Sequence, residues 1–243
     1  MLSQEKISDC EIQIYPGPGA KRDQSGPLVF PGLPSSMVVS IISPSNQIGR
    51  QVGELVTKSL GGTLIDCGKL YGSLALACNE AGINCEDLDA MAKFCSRSRL
   101  DVWVRQQGDT PEEASFFANY NIYNQVELDS VSEQARKFSH YMAVPKDILG
   151  FLVQETRENR RLVVLGRDIP PAVRRSTPFD FFLTAAQDML DESPTTLYSV
   201  PKWMNRFPPV GAREVDSRSS SPAKVCEMIL LELHAICLGE RKT

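Results

Sequence analysis

Histidine, tryptophan and long apolar runs are scarce in this sequence. It has two histidines and two tryptophans among its 243 residues. We expect no membrane span, because a helix needs about 20 apolar residues to cross a bilayer and no such run is present. His140 and His234 stand in no pattern that is typical of a catalytic histidine. The first residues carry Glu5 and Asp9 and no apolar segment, so they resemble neither a secretory signal nor a typical transit peptide.

The seven cysteines also lack a common spacing, and no two of them form a Cys-x-x-Cys pair. An odd number of irregularly spaced cysteines favours buried or free thiols over disulfides or zinc ligands. We therefore expect a reducing intracellular compartment, either the cytoplasm or an organelle matrix, with no secretion and no bound metal at the cysteines. The formal net charge is −4, which argues against general binding to a nucleic-acid backbone.

The most informative stretch of the chain is residues 37–72. Residues 37–42 form a short β-branched run, and residues 50–60 carry apolar side chains at helical spacing. Gly61 and Gly62 are a stop signal for that helix, and a second short apolar run follows at residues 63–65. Strand, helix and strand in this order predict a βαβ unit and hence a parallel sheet.

The turn between the first strand and the helix lies where P-loop proteins bind phosphate. Such a loop needs glycines whose N–H groups face the phosphates, a lysine for charge and a Ser or Thr hydroxyl for Mg²⁺. This turn has one glycine, no lysine and no hydroxyl at the corresponding position. Two interpretations stay open: an ordinary strand-to-helix turn, or a degenerate nucleotide loop. In the second, the residues that bind ATP with Mg²⁺ are Ser45, Asn46, Gly49, Arg50 and Gln51.

Four segments resemble the cytidylate kinase family in sequence and in order. They are DCGKLY at residues 66–71, the Ala- and Leu-rich residues 73–83, LVVLGRDI at residues 162–169 and FFLTA at residues 181–185. The resemblance covers about residues 37–190 and again roughly 213–238. It implies a three-layer α/β fold of the P-loop nucleoside monophosphate kinase type, with a central parallel sheet and a small insert domain. The family activity would be ATP-dependent phosphoryl transfer to CMP or dCMP.

The same resemblance predicts the domain organisation. Residues 37–243 would form the cytidylate-kinase-like domain, with an insert at about 95–145 and an irregular loop at about 191–213 in place of an Arg-rich lid. Residues 1–36 are rich in proline and glycine, which predicts an N-terminal arm rather than a packed element. The arm is either a disordered leader or a segment that becomes ordered on a partner, since it contains more apolar residues than disorder requires.

The substrate residues implied by the resemblance are Cys67, Tyr71, Ser139, Arg167 and Asp168. Cys67 replaces a Ser or Thr that contacts the base, and Ser139 matches a serine that contacts cytosine. Two family arginines are replaced, by Gly72 and Ile148, and the lid region after residue 190 has only a few cations left. Phosphoryl transfer depends on cations placed around the transferred group, so we predict that the catalytic apparatus is degenerate.

Three hypotheses for function follow. The first is a non-catalytic scaffold or partner-binding subunit of a larger assembly, with the arm and the lid-replacing loop as the contact regions and with nucleotide binding as a property it could retain. The second is an active CMP/dCMP kinase with an unusual loop, which Arg50, Ser139, Arg167 and Asp168 favour. The third is a nucleotide sensor that binds without turnover.

Overall fold

A computed structural model describes residues 33–84, 87–97, 100–105, 111–118, 160–167, 169, 171–175, 177–184 and 209–239. Most of the predicted arm, the insert beyond residue 118 and the lid-replacing loop up to residue 208 lie outside the described residues. Ser139 and Asp168 also lie outside them. No helix in the described ranges is long and apolar enough to cross a membrane.

The described part of the chain alternates strands and helices. The strands are β1 (Met37–Ile42), β2 (Thr63–Asp66), β3 (Leu100–Arg105), β4 (Glu112–Ala118), β5 (Arg161–Gly166), β6 (Phe179–Thr184) and β7 (Arg213–Asp216). The helices are α1 (Asn46–Leu60), α2 (Cys67–Glu80), α3 (Leu88–Arg97), α4 (Pro171–Arg175) and α5 (Pro222–Cys237).

The seven strands form one sheet in the order β3-β4-β2-β5-β1-β6-β7. β3 runs antiparallel to β4, and the other six strands are parallel. β1 lies between β5 and β6, so that Val39 pairs with Val163 on one side and with Phe179 on the other. The predicted central parallel sheet is therefore confirmed.

Helices cover both faces of the sheet, as a three-layer α/β fold requires. Alternate residues of the central strands point to opposite faces, so each strand contributes to two cores. On one face, Ile42 and Phe182 pack with Leu74 of α2. On the other face, Ile41 and Phe181 belong to a cluster with α1 and α5, whose buried members include Val52, Val56, Val225 and Ile229. Strands buried on both faces explain the continuous apolar runs in the sequence.

The first part of the predicted insert joins the edge of the sheet. β3 and β4 form an antiparallel hairpin, and β4 pairs with β2 at two positions, Thr63 with Glu112 and Leu64 with Glu113. The Thr63 hydroxyl also donates a hydrogen bond of 3.1 Å to the Glu112 carboxylate. β3 and β4 thus extend the central sheet.

Arg161 ties the beginning of the described chain to the fold. Its Nε donates to the carbonyl oxygen of Pro34 at 2.8 Å, and its Nη2 donates to that of Leu33 at 3.3 Å. Its Nη1 donates to the carbonyl oxygen of Leu60, at the end of α1, at 2.9 Å. The last residues of the predicted arm are therefore held at the amino end of β5.

Candidate nucleotide site at the carboxyl edge of the sheet

The six parallel strands end along one side of the sheet, which we call the carboxyl edge. Open α/β sheets bind ligands outside the carboxyl ends of their strands. Here β1 passes into α1, β2 passes directly into α2, and β5 ends at Gly166. The described residues that were predicted to bind nucleotide lie in these junctions or in the first two turns of the helices that follow them.

The junction between β1 and α1 is shorter than the sequence suggested. We predicted a turn up to Gly49 and a helix from Arg50, but α1 begins at Asn46. Ser45 is the N-cap, and its Oγ accepts a hydrogen bond from the backbone N–H of Ile48 at 3.5 Å. Ser45 is a helix start signal that the sequence prediction missed, because serine is a preferred N-cap residue but Ser45 was treated as part of a phosphate loop. Three residues therefore connect β1 to α1, too few for a loop that encloses phosphates.

Gly49 has a packing role in this junction. A Cβ atom at residue 49 would lie 2.7 Å from Cβ of Ser43 and 2.9 Å from its Oγ. The Ser43 hydroxyl is itself fixed, because it donates to the carbonyl oxygen of Ser45 at 2.7 Å. Glycine thus lets α1 approach the end of β1. Of the other predicted loop residues, Ser45 is buried and Gln51 is exposed.

Arg50 lies in the second turn of α1 and contacts three carboxylates. Its Nε donates to Oε1 of Glu54 at 2.5 Å. Its Nη1 and Nη2 donate to the two carboxylate oxygens of Glu113, each at 2.7 Å, and Nη1 also lies 3.3 Å from Oδ2 of Asp66. Every nitrogen of the guanidinium group therefore meets a carboxylate.

Lys69 adds a second cation to the same group. Its Nζ lies 2.8 Å from Oε1 of Glu113. Asp66 is the N-cap of α2 and accepts hydrogen bonds from the backbone N–H groups of Gly68 and Lys69. We call Arg50, Glu54, Asp66, Lys69 and Glu113 the Arg50 cluster. Its two cations and three carboxylates carry a formal charge of −1.

The pKa shifts of Arg50 and Glu113 both favour the charged forms. Burial by itself would lower the pKa of Arg50, but hydrogen bonds and charge interactions with Glu113, Glu54 and Asp66 outweigh burial and raise it. Burial would raise the pKa of Glu113, and the hydrogen bonds from Arg50 and Lys69 outweigh it and lower the pKa. Arg50 and Glu113 thus stabilise each other in their ionised forms.

Three carboxylates converge on Arg50, but within the described residues no group of acidic, histidine or cysteine side chains has the arrangement of a metal site. The predicted ATP set included Arg50 and omitted Glu54, Lys69 and Glu113. The i, i+4 spacing of Arg50 and Glu54 is a sequence signal for an ion pair. Glu113 had no such signal, because its place depends on the pairing of β4 with β2.

A model of the cytidylate kinase family matches residues 39–190, which is more than half of the 243 residues. The chain belongs to the cytidylate kinase family. The matched range starts within β1, continues past the end of β6 and contains every residue of the Arg50 cluster. The predicted family resemblance is therefore confirmed.

Similar proteins include cytidylate kinases of several bacteria. The cytidylate kinase of Mycobacterium avium (strain 104) is 26% identical over 156 residues, which are 64% of this chain and 67% of that protein. That of Cupriavidus necator is 30% identical over 154 residues, 61% of this chain and 63% of that protein. That of Bdellovibrio bacteriovorus is 28% identical over 149 residues, 61% of this chain and 67% of that protein. The matched region spans about two thirds of each relative.

Two of the substrate residues implied by the cytidylate kinase family are buried in this member. Cys67 and Tyr71, in the first turns of α2, are 3% and 4% exposed and belong to the core between α2 and the sheet. A Cβ atom at Gly166 would lie 2.9 Å from Cβ of Cys67, so α2 begins in close contact with the end of β5. Their contact with substrate stays a prediction, and it would involve side chains that already pack in the interior.

The third described residue of that set, Arg167, directly follows β5 at the carboxyl edge and is half-buried. The sequence predicted this location from the apolar strand before it. Its neighbour Asp168 and the more distant Ser139 lie outside the described residues, so the predicted grouping of these three residues stays a prediction.

Proposed function

We propose that this member of the cytidylate kinase family does not transfer phosphoryl groups at a useful rate and serves as a partner-binding subunit of a larger assembly. The observation that carries the first part is the engagement of Arg50. The sequence analysis placed this residue among those that would bind ATP, and all its guanidinium nitrogens contact carboxylates of the protein.

Phosphoryl transfer is catalysed mainly by positioned positive charge. A phosphate that approaches Arg50 would have to replace at least one carboxylate, and the cluster as a whole is negative. The family arginine that binds the monophosphate corresponds to Gly72, which is buried within α2. The three-residue junction before α1 supplies no glycine-rich loop. Together these features support a degenerate catalytic apparatus.

The partner-binding role rests on the parts of the chain that the catalytic fold does not need. The N-terminal arm, residues 1–36, combines many prolines and glycines with the apolar residues Ile12, Ile14, Tyr15, Val29 and Phe30. Segments of this kind bind partners by becoming ordered on them. The lid-replacing loop at about 191–213 is the second contact region that we propose.

A coupled assay with CMP, dCMP and UMP at saturating MgATP tests the catalytic part. We expect turnover well below about one per second, the lower end of ordinary kinases. Turnover at or above that rate would show that the chain is a working kinase.

The partner role is tested by comparing the full chain with a chain that starts at residue 33, both carrying an affinity tag and expressed in cells of the organism that encodes the protein. A stoichiometric protein that co-purifies with the full chain only would support the role of the arm, and its retention by the shorter chain would contradict that role.

A second candidate function is an active CMP/dCMP kinase that uses ATP and Mg²⁺, and the names of the bacterial relatives favour it. The third candidate, a nucleotide sensor without turnover, is favoured by the presence of Arg50, Lys69 and Arg167 along the carboxyl edge. Calorimetric titration with CMP and with ATP separates these candidates from a pure scaffold, since a scaffold would bind neither.

A further inference from the structure

We propose that Arg50 and Lys69 form a binding site for the phosphate group of a phosphomonoester, and that Glu113 fills this site in the free protein. Glu113 would then be a built-in competitor that a phosphate must displace. This inference rests on the nucleotide binding that the second and third candidate functions share, and it adds Lys69 as a ligand of the phosphate and Glu113 as its competitor.

The geometry of the contact is that of anion recognition. Nη1 and Nη2 of Arg50 each lie 2.7 Å from a different oxygen of Glu113, which is a bidentate pair. A guanidinium fork binds carboxylates and phosphates through the same two parallel hydrogen bonds. Lys69 Nζ lies 2.8 Å from the oxygen that also accepts from Nη1. One carboxylate oxygen thus meets two cations, an arrangement that the oxygens of a phosphate can reproduce.

The site is reachable from solvent. The side chains of Arg50 and Lys69 are 31% and 45% exposed, and that of Glu113 is 20% exposed. The cluster joins the second turn of α1 to the first turn of α2 at the end of β2, which is the edge where sheets of this kind bind ligands. A phosphate could therefore enter without opening either hydrophobic core.

Glu113 can leave the site without loss of the strand pairing. β4 is joined to β2 through backbone pairs at Thr63 and Leu64, and the contact of Thr63 with the Glu112 carboxylate does not involve Arg50. A rotation of the Glu113 side chain breaks its contacts with Arg50 and Lys69. The backbone pairs of β4 with β2 and the contact of Thr63 with Glu112 stay in place. The backbone of the hairpin need not move.

The charges favour exchange over simple addition. With Glu113 in place the cluster carries −1, so an added phosphate would be repelled. With Glu113 displaced, two cations face Glu54 and Asp66, and the net charge is zero. Arg50 would keep its Nε contact with Glu54 while its Nη1 and Nη2 bind the phosphate. The apparent affinity for phosphate is then the intrinsic affinity multiplied by the fraction of time for which Glu113 is out of the site.

The test is calorimetric titration of inorganic phosphate, CMP and cytidine into the full chain and into Glu113→Gln. If the open form is a minor state of 10% or less, the variant should bind phosphate and CMP about ten-fold or more tightly than the wild type. Cytidine should show no gain, because it lacks the phosphate. Glu112→Gln is the matched control, since it removes the neighbouring carboxylate, which contacts Thr63 instead of Arg50, and its affinities should equal those of the wild type.

The double variant Glu113→Gln, Arg50→Gln should lose the gain. The proposal is overturned if Glu113→Gln binds phosphate no more tightly than the wild type, if Glu112→Gln shows the same gain, or if the gain survives the loss of Arg50. Should Glu113→Gln not fold, as judged by circular dichroism, Glu113→Asp replaces it, because the shorter side chain keeps the charge and withdraws the carboxylate. A smaller gain is then expected, and no gain overturns the proposal.

Discussion

Arg50 illustrates how one residue can be assigned two different roles. Its place after Gly49 indicates a phosphate ligand, whereas its contacts make it the centre of an ion-pair cluster. Arginine suits such a cluster better than lysine, since its planar fork has donors in three directions. Arg50 thus provides a group that three carboxylates can share.

The first prediction at this scale concerns the pH dependence of stability. The pKa of Glu113 is lowered in the folded protein, so its contribution is present above the unfolded value, about 4.3 for glutamate, and is lost as the pH falls through the folded value. We expect the wild type to exceed Glu113→Gln in urea midpoint at pH 7. The gap should close as the pH is lowered from about 5 towards 3. A constant gap over that range would contradict the ionised pairing of Glu113 with Arg50 and Lys69.

A second residue-scale prediction concerns Asp180, a buried carboxylate in β6. Its Oδ1 accepts from the Ser40 hydroxyl at 2.7 Å, and its Oδ2 accepts from Nε and Nη2 of Arg174 at 2.9 and 2.7 Å. Asp180→Ala should destabilise the protein by about 3 kcal/mol, because it leaves the partly buried guanidinium of Arg174 without its counter-charge and the buried Ser40 hydroxyl without its acceptor.

The matched control is Asp216→Ala, since Asp216 also pairs with an arginine, Arg218, but at the exposed end of β7. Denaturant unfolding of both variants provides the comparison. Similar losses in the two variants would show that burial does not govern the Asp180 contact.

At the scale of elements, the sequence predicted the central strands because parallel strands that are buried on both faces are continuous apolar runs. It misplaced the start of α1 by four residues, since a supposed phosphate loop was given more weight than the capping serine, Ser45. The partners of Arg50 could not be predicted fully, because Glu113 is 63 positions away and reaches Arg50 through the pairing of β4 with β2. Cys67 and Tyr71 were assigned to substrate by family position, which contains no information about burial.

The prediction for this scale compares two glycines of α1. Gly49→Ala should destabilise the protein by about 1–3 kcal/mol, because the new Cβ would meet the fixed Cβ and Oγ of Ser43 at 2.7 and 2.9 Å. At Gly53 the nearest atom is the end of the flexible Leu165 side chain, at 3.2 Å. Both changes gain the same helix propensity, about 1 kcal/mol, so the two variants differ only in the space available to the new Cβ. Gly53→Ala should therefore be less harmful than Gly49→Ala. Thermal unfolding of the pair measures the difference, and equal effects would contradict the close approach of α1 to β1.

For the whole molecule, the described residues have the fold of the cytidylate kinase family, and Arg50 and Lys69 near its carboxyl edge are paired with carboxylates. The sheet, its order and its two cores depend on apolar side chains that fill the interior. Catalysis depends on a few positioned cations, and their removal leaves the packing of the hydrophobic core unchanged. A chain can therefore keep the family fold for its surface or for binding after the transfer chemistry is gone.

The last prediction separates binding from catalysis in the intact protein. Glu113→Gln frees Arg50 and Lys69, and by our proposal it binds CMP more tightly. It should still not turn over CMP with MgATP at about one per second, the lower end of ordinary kinases. The reason is that transfer needs several positioned cations acting together, and the variant restores neither the arginine missing at Gly72 nor a glycine-rich loop. The measurement is the coupled assay on the wild type and on Glu113→Gln, with Glu112→Gln as the control. Turnover that appears only in Glu113→Gln would refute the degenerate catalyst, and it would show that Glu113 restrains a working kinase.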